Sequence, residues 1–247
     1  MSEIQWRTHR LELDDQSLRE WDAVVLDCGP DGIVLDCSAF YPGGGGQPPD
    51  HGVLLWGGAQ TRIVGARKGD DLYLIPAEED PLPPTGTPVR GALEDSRRSA
   101  LMRTHSALHV LGGVVFRDFG ALVTGGNMEP LSARMDFNLT EIPPGFRDGI
   151  EAACNAELAA DRRIDVRVLP REEAFAIPDI IRTATNLVPQ DVKDVRIIDI
   201  VGLDQQADGG THVASTRQVG GIEVVKIENK GKGFRRVRIQ VTDQPRG

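Results

Sequence analysis

The sequence predicts an α+β protein: a small β-barrel-like domain at the N-terminus, followed by an α+β domain with helices packed on a mostly antiparallel sheet. Up to about residue 90 the chain alternates short apolar runs with turn residues, and from residue 95 the apolar residues recur with a helical period. The length of 247 residues allows two modest cores. We place the boundary so that the domains span residues 1–92 and 93–247.

The predicted strands of the first domain are separated by turn residues. In AVVLDCGPDGIVLDCSAF, residues 23–40, two apolar runs flank Gly-Pro-Asp-Gly, which is typical of a hairpin. Three more runs continue the pattern: VLLWGG (53–58), TRIVGA (61–66) and DLYLIP (71–76). EEDPLPPTGTPVRG, residues 78–91, has no period, and we predict a linker or an exposed crossing between the domains.

The second domain begins with the pattern of a long helix, residues 95–119. Gly112 and Gly113 in its middle cost about 1 kcal/mol each relative to alanine, which predicts that another element packs against the bare backbone there. A second helix is predicted within residues 146–163. Four strands are predicted as well, at 164–170, 195–201, 221–230 and 234–241.

The composition is that of an ordinary soluble globular protein, with 40% hydrophobic and 26% charged residues. No apolar run is long enough for a membrane span, and residues 1–15 lack the apolar core of a secretory signal. The three cysteines are widely spaced, which favours reduced thiols in a cytoplasmic protein.

The charge is unevenly distributed along the chain. The formal net charge is −9, yet residues 1–95 carry 7 basic and 17 acidic side chains, whereas residues 96–247 carry 21 basic and 20 acidic ones. Because charge effects are screened over about 10 Å at moderate salt, a local basic stripe in the second domain could still bind nucleic-acid phosphates.

Two pairs of polar residues carry the predicted chemistry. His105 and His109 are one helical turn apart, so both rings can reach one metal ion. Asp208 and His212 flank Gly209-Gly210 on a predicted loop, where glycines permit a close approach without a Cβ clash. The alternatives are two unrelated histidines on the helix, and a Gly-Gly turn in which Asp208 acts as a cap.

Four motifs in order resemble one known family. HSALHVL, TGGNMEPLSARMDFNL (124–139), DQQADGGTHVASTRQVG and KIENKGKGFRRVRI resemble the editing domain of alanyl-tRNA synthetase. FYPGGGGQPPDHG, residues 40–52, resembles the glycine-rich motif of the larger freestanding alanyl-tRNA editing proteins. The resemblance implies a deacylase that removes serine, and also glycine, from mischarged tRNA(Ala).

The resemblance also implies a zinc site, with one departure. The family's second motif usually reads Cys-Gly-Gly-Thr-His, and here Asp208 stands at the cysteine position. Carboxylate is a harder ligand than thiolate but binds zinc, so either Asp208 ligates with His105, His109 and His212, or the three histidines leave a position for water. In both cases we expect weaker retention of zinc than with cysteine.

The remaining predicted site residues line a substrate pocket or bind tRNA. The resemblance implies a pocket at the glycine-rich segment, and Thr104 and Thr211 flank predicted ligands, although packing and turn formation are alternatives for both threonines. The pocket residues are Gly43, Gly44, Gly45, Gly46, Gln47, Thr104 and Thr211. The segment 229–241 contains no acid and could bind phosphates, the alternative being an edge strand protected by cations. Its basic residues are Lys230, Lys232, Arg235, Arg236 and Arg238.

Three hypotheses for function follow from these residues. The first is a metal-dependent aminoacyl-tRNA deacylase, acting on tRNA(Ala) that carries the wrong amino acid. The second is a tRNA-binding module whose catalytic site has decayed at Asp208. The third is a zinc hydrolase of an ester unrelated to tRNA. The sequence does not identify a general base, the amino-acid preference or the oligomeric state.

Overall fold

The computed structural model describes residues 7–186 and 188–244. Residues 1–6, which belong to the stretch predicted to lack a secretory signal, lie outside the described residues. The helices are α1 Leu11–Asp14, α2 Asp95–Phe119, α3 Phe146–Ala159 and α4 Arg171–Ala176. The strands of the first part are β1 His9–Arg10, β2 Glu20–Gly29, β3 Gly32–Leu35, β4 Cys37–Ser38, β5 Gly52–Trp56, β6 Ala59–Lys68, β7 Leu72–Pro76 and β8 Pro88–Leu93. The later strands are β9 Val123–Glu129, β10 Ser132–Phe137, β11 Ile164–Pro170, β12 Asp194–Ile200, β13 Asp204–Ala207, β14 Gly221–Asn229 and β15 Arg235–Thr242.

The chain divides into two compact units. One comprises the residues up to Gly44 together with Pro48–Ser99, and the other comprises Gly45–Gln47 together with the residues from Ala100 onward. The boundary between the units falls within the glycine-rich segment, because Gly45–Gln47 is grouped with the later residues. The predicted boundary between residues 92 and 93 stays a prediction.

The first unit contains a closed barrel with the strand order β2-β3-β7-β6-β5-β8. The predicted hairpin joins β2 to β3 through residues 29–32, and its register pairs Cys28 with Ile33. Buried aliphatic and aromatic side chains, among them Phe40 and Leu54, fill its core. The linker predicted at 78–91 is wrong at its end, because Pro88–Leu93 is the strand that pairs with both β2 and β5.

A buried ion pair in the first unit holds both ends of the glycine-rich segment. Arg98 and Asp50 are fully buried, and the Arg98 Nε donates to Asp50 Oδ2 at 3.0 Å. The Asp50 carboxylate also accepts the Tyr41 N–H at 2.8 Å, and the Asp50 N–H donates to the Tyr41 carbonyl at 3.1 Å. Since these bonds satisfy the buried charges, the chain before and after the glycines is fixed.

The predicted fold class is confirmed, and the second unit is α+β with two antiparallel sheets. One has the order β14-β15-β10-β9 and the other β11-β12-β13. A core of buried apolar residues from α2, α3 and the strands holds the unit together. The alternative of an edge strand for the basic segment is wrong, because β15 lies between β14 and β10. None of the helices in the described part of the chain is long and apolar enough to cross a membrane.

The paired glycines of α2 contact the segment that leads into β13. A Cβ added at Gly113 would lie 3.0 Å from the Asp204 Cβ and 3.3 Å from the Leu203 Cγ, whereas one at Gly112 would have its nearest neighbours at 3.7 Å. The prediction that another element packs against the bare helix backbone is confirmed, and Gly113 is where the approach is tightest.

Candidate metal centre

Helix α2 presents two imidazoles from one face. His105 and His109 are both buried, and their ring centroids lie 5.0 Å apart. The spacing of four residues produces this arrangement, since such residues are neighbours along a helix surface. The helix itself therefore places both rings on one face.

The loop after β13 brings a third imidazole and a carboxylate to the same place. The ring centroid of His212 lies 4.3 Å from that of His105 and 4.7 Å from that of His109. Asp208 Oδ1 lies 3.6 Å from His105 Nε2 and 4.0 Å from His109 Nε2, and Asp208 Oδ2 lies 3.2 Å from His212 Nε2. One ligand atom from each of the four residues lies within 4.8 Å of the others.

The loop approaches the helix closely because residue 210 has no side chain. A Cβ at Gly210 would lie 2.2 Å from the His105 Cε1 and 2.8 Å from the Gln47 Oε1, whereas a Cβ at Gly209 would meet nothing within 4 Å. The Gly210 N–H donates to Asp208 Oδ2 at 2.6 Å. Arg196 Nη1 donates to the carbonyls of Asp208 and Gly210, at 3.0 and 2.8 Å, and so fastens the loop to β12.

Gln47 from the glycine-rich segment orients the first histidine. Its Oε1 accepts the Thr211 N–H at 3.1 Å and lies 2.9 Å from His105 Nδ1, and its Nε2 donates to Thr211 Oγ at 2.9 Å. Because an amide oxygen only accepts, the His105 proton lies on Nδ1 and the Nε2 lone pair faces the centre. This is the arrangement by which polar neighbours orient histidine ligands of metals.

Ser106 is a site residue that we did not predict from the sequence. It is fully buried, and its Oγ lies 3.2 Å from His212 Nδ1. The sequence carries no signal for this contact, because the partners are 106 residues apart. Arg196 was also missed, since an arginine in a strand that also contains Asp194 and Asp199 resembles a solvated side chain.

Burial sets the protonation states in the centre. Burial lowers the pKa of His105 to about 4, although Asp208 opposes the shift, and burial also lowers the pKa of His212 well below its usual value. Burial raises the pKa of the Asp208 carboxyl, but His105 and the hydrogen bond from His212 outweigh it, and the pKa is well below its usual value. The rings of His105 and His212 are neutral and the Asp208 carboxylate is charged, which are the protonation states that metal coordination requires.

The donor set fits a divalent cation. Three imidazoles and one carboxylate converge, and all four are ligand types that zinc accepts. The buried carboxylate supplies the negative charge that a thiolate would otherwise bring. The four residues together with Gln47 lie within the second unit.

The other predicted pocket residues have different surroundings. A Cβ at Gly45 would lie 3.8 Å from Asp208 Oδ1, so Gly45 borders the centre. A Cβ at Gly46 would lie 3.2 Å from the Gly126 carbonyl oxygen, and Gln47 Nε2 donates to the Thr211 hydroxyl. Gly43 and Gly44 belong to the first unit, and their role stays a prediction.

The Thr104 hydroxyl has two backbone partners instead of facing the imidazoles. It donates to the Ala100 carbonyl at 2.7 Å and accepts the Leu131 N–H at 2.9 Å. These contacts suit the packing alternative, since they use the donor and one acceptor site of the hydroxyl.

The arginines of the basic segment are largely paired within their sheet. Arg236 donates to both Asp136 oxygens at 2.7 Å, and Arg238 Nε donates to Glu228 at 2.8 Å. Arg235 Nη2 donates to a backbone carbonyl at 2.7 Å. The acids come from the neighbouring strands β10 and β14, so the segment without acids in the sequence is partly neutralised in the fold.

Lys230 and Lys232 differ from these arginines. Both are exposed in the turn between β14 and β15, and within the described ranges neither ammonium lies within 4 Å of a carboxylate oxygen. Lys230 still acts on Asp136 at longer range, since it helps to lower the pKa of that carboxyl.

The fold and the site define a class of protein: a β-barrel unit and an α+β unit that carries a candidate metal centre of three histidines and an aspartate. The family model described as the threonyl and alanyl tRNA synthetase second additional domain matches residues 195–238. The chain is 36% identical over 232 residues to the alanyl-tRNA editing protein AlaX-M of Saccharolobus solfataricus, covering 93% of this chain and 97% of the relative. It is 32% identical to the AlaX-M protein of Methanosarcina barkeri, covering 96% and 100% respectively.

A longer relative matches over the same region. The chain is 35% identical to the alanine–tRNA ligase of Thermofilum pendens over 235 residues, which are 93% of this chain and 26% of the ligase. Since the AlaX-M proteins match over nearly their full length, this chain belongs to the family of alanyl-tRNA editing proteins of the AlaX-M type.

Proposed function

We propose that the protein is a trans-editing deacylase of the cytoplasm that hydrolyses seryl-tRNA(Ala), and also glycyl-tRNA(Ala), at a zinc-centred site. The observation that supports this most is the convergence of His105, His109, Asp208 and His212 in a buried centre. The family supplies the substrate class, because its members carry alanyl-tRNA editing in their names.

The four residues would hold Zn²⁺ with neutral imidazoles and one carboxylate. When bound, the ion supplies a Lewis acid that can polarise an ester carbonyl, activate water or bind the amino acid's polar groups. Gln47 orients His105, and Arg196 holds the loop carbonyls, so the chain's own contribution is a preorganised donor set.

The substrate pocket proposed here lies beside Asp208. Gly45, Gly46, Gln47 and Thr211 border it, and the absence of a side chain at Gly45 leaves room next to the carboxylate. The tRNA body would be bound in part by the exposed lysines of the β14–β15 turn, whose ammonium groups form no ion pair within 4 Å among the described residues.

The test is deacylation of seryl-, glycyl- and alanyl-tRNA(Ala) by the zinc-loaded protein and by the chelator-treated protein. We expect release of serine and glycine to exceed release of alanine. His105→Ala and His212→Ala should each lower serine release by roughly 100-fold or more, because the donor set is then incomplete. His9→Ala is the matched control, since His9 is exposed in the first unit and its ring lies 2.6 Å from Asp14, away from the four candidate ligands.

Two outcomes would replace this proposal by one of its alternatives. Salt-dependent tRNA binding without turnover, even with zinc supplied, would indicate a binding module. Full activity towards a small ester, unchanged by charge reversal at the basic residues, would indicate a hydrolase that does not use tRNA. Full serine release by both histidine variants would exclude the metal role altogether.

A further inference from the structure

The sheet β14-β15-β10-β9 of the second unit has one face in the core and one face open to solvent. On β15, Val237 and Ile239 are buried in the core that α2 and α3 also line. Arg236 and Arg238, which alternate with them, are partly exposed. Because successive side chains of a strand point to opposite sides, these arginines mark the open face of the sheet.

The open face differs in charge between its two ends. One end carries two acids, Glu129 and Glu223, which lie in the same row of the strand register. At the other end, next to the β14–β15 turn, four cations share two carboxylates: Arg134, Lys226, Arg236 and Arg238 with Asp136 and Glu228. Positive charge is therefore in excess there, and Lys230 and Lys232 add to it.

An aromatic side chain belongs to the same basic end. Phe234 is 43% exposed, at the last position before β15. The Lys230 N–H donates to the Phe234 carbonyl at 3.1 Å, which continues the register after the pair Asn229 and Arg235. Opposite residues of antiparallel strands share a face, so Phe234 and Lys230 project from the side of Arg236.

The turn that presents Phe234 is held by its own contacts. Arg235 Nη1 donates to the carbonyls of Phe234 and Gly231, at 2.9 and 3.3 Å, and Arg235 Nη2 donates to the Thr140 carbonyl at 2.7 Å. Gly231 and Gly233 supply the positive φ angles of the turn. These contacts use backbone groups and leave the Phe234 ring out, so a substitution of the ring should preserve the turn.

Strand β9 connects the open sheet to the candidate metal centre. The Met128 N–H donates to the Gly46 carbonyl at 3.1 Å. The neighbouring Gly45 borders the centre, since a Cβ there would lie 3.8 Å from Asp208 Oδ1. All of these residues belong to the second unit. A ligand that lies across the sheet towards β9 therefore leads to the candidate ligands.

The strand register gives the distance between Phe234 and this edge. Gly126 of β9 pairs with Met135 of β10, and Met135 pairs with Val237 of β15. With the usual spacing between strands and along a strand, Phe234 lies roughly 15 Å from Gly126. A few unpaired nucleotides span such a distance, and a tRNA carries its amino acid on the last nucleotide of an unpaired 3′ end.

We propose that Phe234 stacks against a base in the unpaired 3′ end of the tRNA, and that Lys230 and Lys232 bind phosphates beside that base. The proposal rests on the proposed function in one respect, namely that tRNA carries the substrate. Aromatic rings combined with cations bind single strands, because every base has a π-face and every nucleotide has a phosphate. The contact directs the terminal ester towards the candidate metal centre.

The first test measures the affinity for uncharged tRNA(Ala) over a range of salt concentrations. Phe234→Ala should weaken binding about 10-fold, as expected for the loss of one stacked base. The slope of log K against log salt should stay the same, because a neutral ring releases no counterions. Phe234→Trp keeps a stacking surface and should bind as the wild type does. An unchanged affinity of Phe234→Ala would overturn the proposal.

Phe119→Ala is the matched control for this substitution. Phe119 is 37% exposed at the end of α2, and its ring packs against Phe146 of α3. It thus belongs to the helices and not to the open face of the sheet. The control should leave the affinity for tRNA(Ala) unchanged, and a loss equal to that of Phe234→Ala would contradict a local contact.

The second test removes the unpaired 3′ nucleotides from the tRNA. The wild type should bind the truncated tRNA about 10-fold more weakly than the intact one. Phe234→Ala should lose little further on truncation, since the two changes remove the same contact. If Phe234→Ala weakens the binding of intact and truncated tRNA equally, the ring does not contact the 3′ end and the proposal is wrong.

The outcomes separate this proposal from the proposed function. If Phe234→Ala binds intact tRNA as the wild type does while the wild type releases serine, the role of Phe234 is wrong and the proposed function stands. If the wild type binds the 3′ end through Phe234 but releases no serine, the proposed function is wrong and the contact stands. A wild type that does not bind tRNA overturns both.

Discussion

A single missing side chain determines how closely the loop of Asp208 and His212 lies to α2. A methyl group at residue 210 would lie 2.2 Å from the His105 ring, which Gln47 holds in place. Gly210→Ala should therefore displace the loop, cost about 1–3 kcal/mol of folding free energy and weaken Zn²⁺ binding. Chemical denaturation and metal competition measure the two effects.

Gly209→Ala is the control for that substitution. Nothing lies within 4 Å of a methyl group at residue 209, and Gly209 is absent from the glycines with positive φ. The close contact between the loop and α2 therefore requires a glycine at residue 210 but not at residue 209. Equal losses in the two variants would contradict this difference.

Protonation of buried imidazoles should limit the stability of the metal-free protein in acid. The pKa of His105 is lowered to about 4 and that of His212 is lowered as well, against about 6.5 in an unfolded chain, because burial disfavours the charged rings. The unfolded state then binds more protons between these values. The contribution of these two rings to the free energy of unfolding should therefore be fully present above pH 6.5. It should decrease towards pH 4, by up to about 1.4 kcal/mol per pH unit for each ring.

Urea denaturation of the chelator-treated protein at several pH values would measure this slope. His105→Asn removes one titrating ring and should flatten the dependence. A wild-type free energy of unfolding that is constant from pH 7 to pH 4.5 would contradict the assigned states.

The candidate ligands and their neighbours differ in how far the sequence indicates them. The spacing of His105 and His109 places them on one helix face, and the family resemblance connects them to His212. Ser106 and Arg196 act through contacts that join residues far apart in the sequence, and neither follows a spacing rule. The candidate metal ligands can therefore be predicted from the sequence, whereas the residues that position them are identified only in the tertiary structure.

The contact between α2 and the segment entering β13 predicts opposite effects for two neighbouring glycines. Gly112→Ala adds a methyl group with its nearest neighbours at 3.7 Å, so the gain in helix propensity should stabilise the protein by about 0.5–1 kcal/mol. A methyl group at Gly113 would lie 3.0 Å from the Asp204 Cβ. Arg182 Nε holds that buried carboxylate at 2.7 Å, so the neighbour cannot move freely and Gly113→Ala should destabilise.

Thermal unfolding of both glycine variants, under identical conditions, measures the difference between them. Each variant serves as the control for the other, since both make the same substitution in the same helix. A stabilising effect of Gly113→Ala as large as that of Gly112→Ala would show that the element against α2 is not tightly packed.

The elements with a regular apolar period followed the sequence, and strand β8 did not. The helix predicted at 95–119 is confirmed at the same bounds, and the strand at 164–170 likewise. Strand β8 was missed because Pro88 and Gly91 resemble linker residues, yet Gly91 lies under the Trp21 ring, where a Cβ would approach to 2.4 Å. Packing in the barrel therefore requires a glycine at residue 91, which strand propensity alone does not indicate.

The folded molecule redistributes charges that the sequence places in one stripe. Residues 229–241 contain no acid, but Asp136 and Glu228 from the adjacent strands pair with Arg236 and Arg238. Strand pairing brings residues about 100 positions apart into contact, as for Asp136 and Arg236. A count of charges along the chain therefore overestimates the number of cations available to phosphates.

Binding of tRNA should consequently depend more on the turn lysines than on the net charge of −9. The double variant Lys230→Glu with Lys232→Glu should weaken tRNA(Ala) binding. It should also reduce the slope of log K against log salt by about one unit per lysine, because binding releases about one counterion fewer for each phosphate contact that is lost. Arg62→Glu with Arg90→Glu changes the net charge equally at exposed positions of the first unit. If both double variants alter the slope equally, the turn makes no local contact, since screening over about 10 Å leaves only nearby charges to act on a bound phosphate.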